Sequence, residues 1–432
     1  MSRRNRIKRK TAIHYFYLYV LLFVNGSALH SYYFTSSAAQ IILLCVILLG
    51  YIYFRIKLPS QNILLFSMLL IDFLRVGLMN VGGSRIIVLL FFVKNILVAY
   101  LVYMIEPEAC IKRYCKLVYF FAVISIPFFI ATNISPDFVR SLSPIVLKNY
   151  LNNSHYYGGL LYVVRRDYSR NVSIFYEPGV YEIVLIVAIF FLLFKPEEFN
   201  NKQRKKMFIV FIIALITSQS STGYINLCVL LITYIFNRRD FSNKKKTVTL
   251  LFIFAVMLVI GDYSIRGDNS FIYNTVLTKF FNIFIRYANN SQNLYANAST
   301  LGARVASFNI MIECLKKSIF GVGYEYWEIL EMRYFASVAI ATGFALGNFL
   351  ASSGIISFSI VEYIIFKPII GAYKQIKNEI LALILIYINI SIMQSEIAYS
   401  TLVFLVLAYS KHSMGLNMKS NYLLLGSRQN YI

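Results

Sequence analysis

Charge is scarce in this chain, and negative charge is scarcest. Asp and Glu number 19 and Lys and Arg 42 among 432 residues, so 14% of the side chains are charged against 58% hydrophobic. A soluble domain of this length needs a far larger charged surface. Cysteine is rare too. The five, Cys45, Cys110, Cys115, Cys228 and Cys314, offer no plausible extracytoplasmic pair. Cys110 and Cys115 have no His or further Cys nearby to complete a tetrahedral zinc set, so packing is their expected role. No Gly-x-x-x-x-Gly-Lys-Ser/Thr phosphate loop occurs, which argues against an ATP-driven activity. No Asp-x-Asp and no His/Glu cluster falls in the segments expected outside a membrane, so neither a metal nor a cofactor is expected.

What is present instead is a series of apolar blocks. They lack the period-two alternation of a membrane barrel. Most approach the 20 or so residues that carry a helix across hydrocarbon, where the backbone must satisfy its own hydrogen bonds. The expected fold is all-α: one polytopic membrane domain over 1–432 with about 12 transmembrane helices. These fall near 13–29, 38–54, 61–78, 86–105, 117–134, 179–194, 207–218, 222–236, 247–260, 348–366, 379–393 and 397–410. The N-terminus, basic and then apolar up to Gly26-Ser27-Ala28, reads as an uncleaved first helix, because membrane segments continue to the end.

The net charge of +23 does not mark a nucleic-acid binder. Basic residues gather in short runs between apolar blocks: Arg3 to Lys10, Lys195 to Lys206, Arg238 to Lys246. With both termini cytoplasmic, 27 of the 42 Lys and Arg fall in cytoplasmic segments. Nearly all the outside ones lie in two long loops, which translocate regardless of charge. Arg75, Lys94 and Asp72 fall within membrane segments, and a buried structural pair of Asp72 with Arg75, three residues apart on one helix, is the expected arrangement.

The two large outer loops, 135–179 and 261–347, carry aromatics, Gly and single charges, as folded segments do. In the second, Leu277, Phe280, Phe281 and Phe284 have helical spacing and predict a helix lying along the interface. Another helix is expected after Ser299-Thr300, with Phe308, Met311, Ile312, Leu315 and Ile319 on its apolar side.

In the first loop, Arg165, Arg166 and Arg170 precede Ile174-Phe175-Tyr176-Glu177-Pro178-Gly179, which leads into a membrane helix. Pro178 suits the first helical position. Two readings of this cluster stand open. In one, Glu177 balances a helix dipole and the arginines grip lipid headgroups. In the other, the arginine forks bind phosphate oxygens and Glu177 handles a proton. Arg304 falls at a helix start, where a cation is costly alone but helps receive a diphosphate. Its alternative is to snorkel to water or pair with Glu313. Ser221 and Thr222, in Ser218-Gln219-Ser220-Ser221-Thr222-Gly223, either bind sugar or cap a hairpin. Gly321-Val322-Gly323-Tyr324 is a turn.

These segments resemble, in order, the signatures of Wzy-type O-antigen and capsular polysaccharide polymerases, in the superfamily shared with O-antigen ligases. Arg170 with Ile174-Phe175-Tyr176-Glu177-Pro178-Gly179 is similar to "R…GIF-x-EPG", and Ser220-Ser221-Thr222-Gly223 to the hairpin that follows it. Arg304 followed by Gly321-Val322-Gly323 resembles "R…GVG". Asn348 with Gly354-Ile355-Ile356 resembles "HN…GII", except that Gly347 stands where many relatives have His.

The resemblance implies a metal-independent glycosyltransferase of the bacterial inner membrane, active in lipopolysaccharide or capsule biosynthesis. Its donor and acceptor would be glycans on undecaprenyl diphosphate, and a chain-length regulator would be a further partner. It implies Arg170, Arg304 and Glu177 as catalytic residues. Arg165, Arg166, Arg286, Ser221, Thr222, Gly323, Tyr324 and Asn348 would bind substrate. Without a His at 347, the base is Glu177 or His155, or none is needed. The alternatives are an O-antigen ligase that uses lipid A core as acceptor, and a lipid-linked oligosaccharide flippase.

Overall fold

The computed structural model describes residues 3–33, 37–57, 85–141, 145–148, 155–158, 160–165, 170–237, 300–323, 326–327, 329–330, 345–376, 379–393 and 401–410. Among them the chain is mostly helical. In order come α1 (Arg3–Val24), α2 (Ala28–Tyr33), α3 (Ser37–Phe54), α4 (Arg85–Ile105), α5 (Pro107–Ile134) and α6 (Pro136–Ser141). Then follow α7 (Pro178–Phe194), a 3-10 turn (Pro196–Glu198), α8 (Asn201–Ser218), α9 (Ser221–Asn237), α10 (Thr300–Lys317), α11 (Ala345–Ile376) and α12 (Ile380–Met393). A short helix, α13, covers Thr401–Ser410. Among the described residues two helical segments, Pro107–Ile134 and Gly347–Lys374, are long and apolar enough to cross a membrane. The expected segments 61–78 and 247–260, the interfacial helix at 277–284, and Asp72 and Arg75 lie outside the described residues.

Local chemistry explains most boundaries. Pro107 and Pro178 each stand in the first turn of a helix, where a missing N–H is no loss. Asn200 caps α8, its side chain accepting from the Gln203 amide at 2.7 Å. Gln219 ends that helix in the left-handed region, at φ 52°. Pro127 lies inside α5, where it removes a backbone donor.

The hub of the bundle is α7. Every residue from Val180 to Leu192 is buried, as in a helix enclosed on all sides. It packs against α5, α8 and α9. Tyr114 of α5 and Phe404 of α13 bring their rings to 5.0 Å beside Phe191. Cys110 and Cys115 are buried and free, and the Cys115 thiol donates to the Ala188 carbonyl. On the other flank α1 packs on α4 and α4 on α3. There Lys94 is buried and donates to Gln40, with His30 Nε2 at 3.3 Å.

The all-α expectation misses one feature. Within 135–179, the segment expected as the first outer loop, a three-stranded antiparallel sheet runs β1 (Ile145–Lys148), β2 (His155–Gly158) and β3 (Val163–Arg165), in that spatial order. Its register pairs Lys148 with His155 and Tyr156 with Arg165. Phe128 of α5 stacks on Tyr162 with ring centroids 4.5 Å apart, which ties the sheet to the helix below it. Burial pushes the Tyr162 phenol up to about 12.

Candidate functional site

The residues from Arg170 to Pro178 form a strap across one end of the bundle, held by polar bonds rather than by regular structure. Asn171 is its anchor. Its backbone N–H donates to the Thr217 carbonyl at 3.0 Å, and its side-chain amide donates to Ser125 Oγ and Thr217 Oγ1, both at 3.0 Å. Asn171 Oδ1 accepts from the Ser173 backbone amide at 3.2 Å, with Ser173 in the left-handed region at φ 53°. Ser125 Oγ in turn lies 3.1 Å from the Tyr181 hydroxyl. One buried Asn side chain thus joins α5, α8 and the strap, and each of its donors has a partner.

The strap's far side is stitched to the turn after α1. Ala28 donates to the Ile174 carbonyl at 2.9 Å and Tyr176 to the Gly26 carbonyl at 3.2 Å. The Ser173 carbonyl accepts from Val163 of β3, so the sheet, the strap and α1 meet here. Phe175 is buried and stacks on Tyr181 at 5.8 Å.

These bonds set the charged residues. Arg170, half-buried, lies beside the end of α8 and within electrostatic range of Tyr224 in the first turn of α9. Tyr224 donates its hydroxyl to the Ile216 carbonyl at 2.9 Å, across the α8–α9 turn. Thr222 is buried in the same turn, and Ser221 opens α9. Arg170 and the hydroxyl hairpin, some fifty residues apart in sequence, are therefore neighbours. Glu177 is the exposed N-cap of α7 in extended conformation, and its side chain makes no capping bond. It does not cap its helix, and it faces solvent.

Sequence reasoning missed the second carboxylate. Glu182 is fully buried on α7 and, like Arg170, acts electrostatically on Tyr224. A Cβ built on Gly223 would overlap the Glu182 carboxylate and lie 2.9 Å from Leu215 Cδ1, so the glycine makes room for the acid. The available signal was an acidic residue inside an apolar run. Gly223→Ala is expected to destabilise the protein by about 1–3 kcal/mol through overpacking. Glu182→Ala in the same chain should recover much of that loss, because the space is vacated. Thermal midpoints of the two singles and the double measure the coupling, and strict additivity would place the two residues out of contact.

A second group forms where α10 meets α11. Val322 donates to the Ala351 carbonyl and Gly323 to the Ser352 carbonyl, each at 3.0 Å, and Ile355 donates to the Ile319 carbonyl at 3.0 Å. Gly321 and Gly323 have φ of 88° and 89°. Asn348 is buried one turn before Ser352, and Phe349 beside it joins the apolar core that contains Tyr181 and Leu215. The Gly-Val-Gly turn and the segment after Asn348 are thus in direct backbone contact.

Arg304 is the fifth residue of α10. The buried side of that helix is Ser307, Ile310 and Cys314, while Phe308 is 48% exposed and Ile319 57%. The expected apolar face holds in part: Met311 packs against the buried cluster of Ile310, Cys314 and Ala351 of α11, whereas Phe308 points outward and Ile319 lies beyond the end of the helix. Arg165 lies on β3. Arg166, Arg286 and Tyr324 lie outside the described residues. Among the described residues no group of three or more His, Cys, Asp or Glu could hold a metal ion.

No protein-family model matches this chain, and no curated protein matches it significantly.

Proposed function

We propose that this protein is a polymerase of lipid-linked polysaccharide repeat units, of O-antigen or capsule, on the outer face of the bacterial inner membrane. The observation that carries the reading is the strap. It fixes Arg170 beside the hydroxyl hairpin of α8 and α9, with an exposed carboxylate, Glu177, seven residues further on. The donor is a diphosphate on a polyprenyl tail, so its site needs cationic forks at the interface and apolar flanks. In this reading the chain crosses the membrane about 12 times, both termini are cytoplasmic, and loops 135–179 and 261–347 are outside.

The reaction is a displacement at the anomeric carbon. A sugar hydroxyl of the acceptor unit forms the new C–O bond, and its proton passes to Glu177, which solvent exposure makes reachable. The bond to the diphosphate breaks, and its electron pair leaves with the phosphate oxygen. Arg170 and Arg304 stabilise that leaving group, with Arg165, Arg166 and Arg286 as further cations. Single displacement inverts the anomeric configuration. Glu182, closed off from solvent, is not the group that takes the proton. Ser221, Thr222, Gly323, Tyr324 and Asn348 are assigned to sugar binding, and a chain-length regulator is a natural partner.

Deletion of the gene tests the function. A polymerase mutant still delivers single repeat units to the surface, and its long-chain ladder collapses to one step. That pattern is expected, restored by the wild-type gene and not by Arg304→Ala. Long polymer retained on its isoprenoid carrier would identify a ligase instead. Unflipped single units would identify a flippase and remove the catalytic role from the arginines.

A further inference from the structure

At the opposite end of the bundle, α5 and α8 enclose an open groove of about 550 Å³ lined by Lys116, Tyr119, Asn200, Lys202, Gln203 and Lys206. The three lysines are exposed, and among the described residues none is within ion-pair distance of a carboxylate. Lys206 lies 5.9 Å from the Tyr119 ring centroid. Two of the lysines sit at the start of α8, which has no acidic residue in its first turn. Positive charge there opposes the helix dipole, and among the described residues no ion pair offsets it.

The lysines also head two apolar stripes. On α8 the series Lys202, Lys206, Ile209, Ile213, Ile216 advances by four and three residues, one face of a helix. Its isoleucines are 58%, 40% and 56% exposed. On α5 the series Lys116, Phe120, Val123, Pro127, Ile130 has the same spacing, with Phe120, Val123 and Ile130 at 48%, 41% and 51%. The two helices pack on each other. A cationic groove therefore opens onto apolar tracks running away from it, the layout of a phospholipid with its phosphate in the groove and its acyl chains along the helices. The 18 residues of α8 rise about 27 Å, close to the thickness of a hydrocarbon core, and separate this groove from the Arg170 corner.

We infer that this groove is a binding site for one anionic diacyl phospholipid of the leaflet opposite the candidate catalytic site. The inference needs the chain to reside in a membrane but does not depend on the polymerase activity. Phosphate geometry suits lysines as point charges, the asparagine and glutamine amides add neutral donors, and basic pockets between membrane helices on the cytoplasmic side hold anionic headgroups.

Native mass spectrometry of the purified full chain, delipidated and then offered phosphatidylglycerol or phosphatidylcholine, tests it. The wild type should retain phosphatidylglycerol over phosphatidylcholine by roughly tenfold. Lys116→Gln/Lys202→Gln/Lys206→Gln should bring the ratio near one, and the corresponding triple Arg variant should keep it. If the Gln triple does not fold, Lys202→Gln/Lys206→Gln removes only cations that oppose a helix dipole, and should still lower the ratio severalfold. An unchanged ratio in the Gln variants overturns the inference. So does displacement of the lipid by millimolar inorganic phosphate, which would show a free-anion site.

Discussion

Replacing Arg170 by Lys is expected to abolish long-chain polymer, with activity down by about 100-fold or more at unchanged protein level and thermal midpoint. The magnitude follows from removing one preorganised donor pair aimed at developing charge, worth about 10²–10³ in rate. Lysine keeps the charge but not the planar fork that grips two phosphate oxygens. The position is preorganised because the next residue, Asn171, is tied to Ser125 and Thr217 by bonds of 3.0 Å. The competing account makes Arg170 a structural partner of Glu182 through the Tyr224 corner. In that case Arg170→Lys would lower the thermal midpoint, and Glu182→Gln would restore it. A Lys variant with full polymer and normal stability would leave Arg170 no role beyond charge. Arg304→Lys should behave like Arg170→Lys, since both are assigned to the same leaving group.

Gly354→Ala should have the largest effect on the fold. Gly354 sits at φ 81° and ψ 171°, a kink inside α11 in a region essentially restricted to glycine. A residue with a side chain there is strained by about 1–3 kcal/mol. Its Cβ would also overlap the backbone carbonyl of Phe320 and lie 2.6 Å from the Gly321 nitrogen. Backbone cannot rotate aside as a side chain can, so overpacking adds about 1–3 kcal/mol more. The total is a large share of the roughly 5–15 kcal/mol that holds a typical native fold. The expected result is a lower thermal midpoint and loss of most polymer, because the Gly-Val-Gly turn no longer seats on Ala351 and Ser352. Normal stability and a normal ladder would show that this junction is not a fixed joint.

Much of the architecture was legible because it is set locally. The apolar run after Pro178 predicts a helix over 179–194, and α7 spans Pro178–Phe194. The hairpin between two helices at 218–223 was equally plain, since polar residues interrupt two apolar runs. The sheet was not legible. Its strands are three or four residues long, too short for alternation to stand out, and cross-strand pairing is a non-local property. The buried face of α10 was misassigned in part for a related reason. Hydrophobic spacing ranks Phe308 as inward, whereas the buried face against α11 is made of Ser307, Ile310 and Cys314, with Met311 at its edge.

At the candidate site the division is similar. Arg170, Glu177, Arg304 and Asn348 were visible as polar residues at the ends of apolar runs, where chemistry at a membrane surface has to be placed. Sequence alone determined a helical, apolar chain, with breaks at proline and polar pairs, and helices long enough to cross a bilayer, because backbone hydrogen bonding and hydrophobicity act within a single segment. Tertiary structure alone decided that Asn171 anchors the strap, that Gly223 yields space to Glu182, and that Gly354 receives the Phe320–Gly321 backbone. Those are contacts between segments 30 to 50 residues apart, and packing at near-crystalline density admits a carboxylate or a backbone only where the facing residue has no side chain.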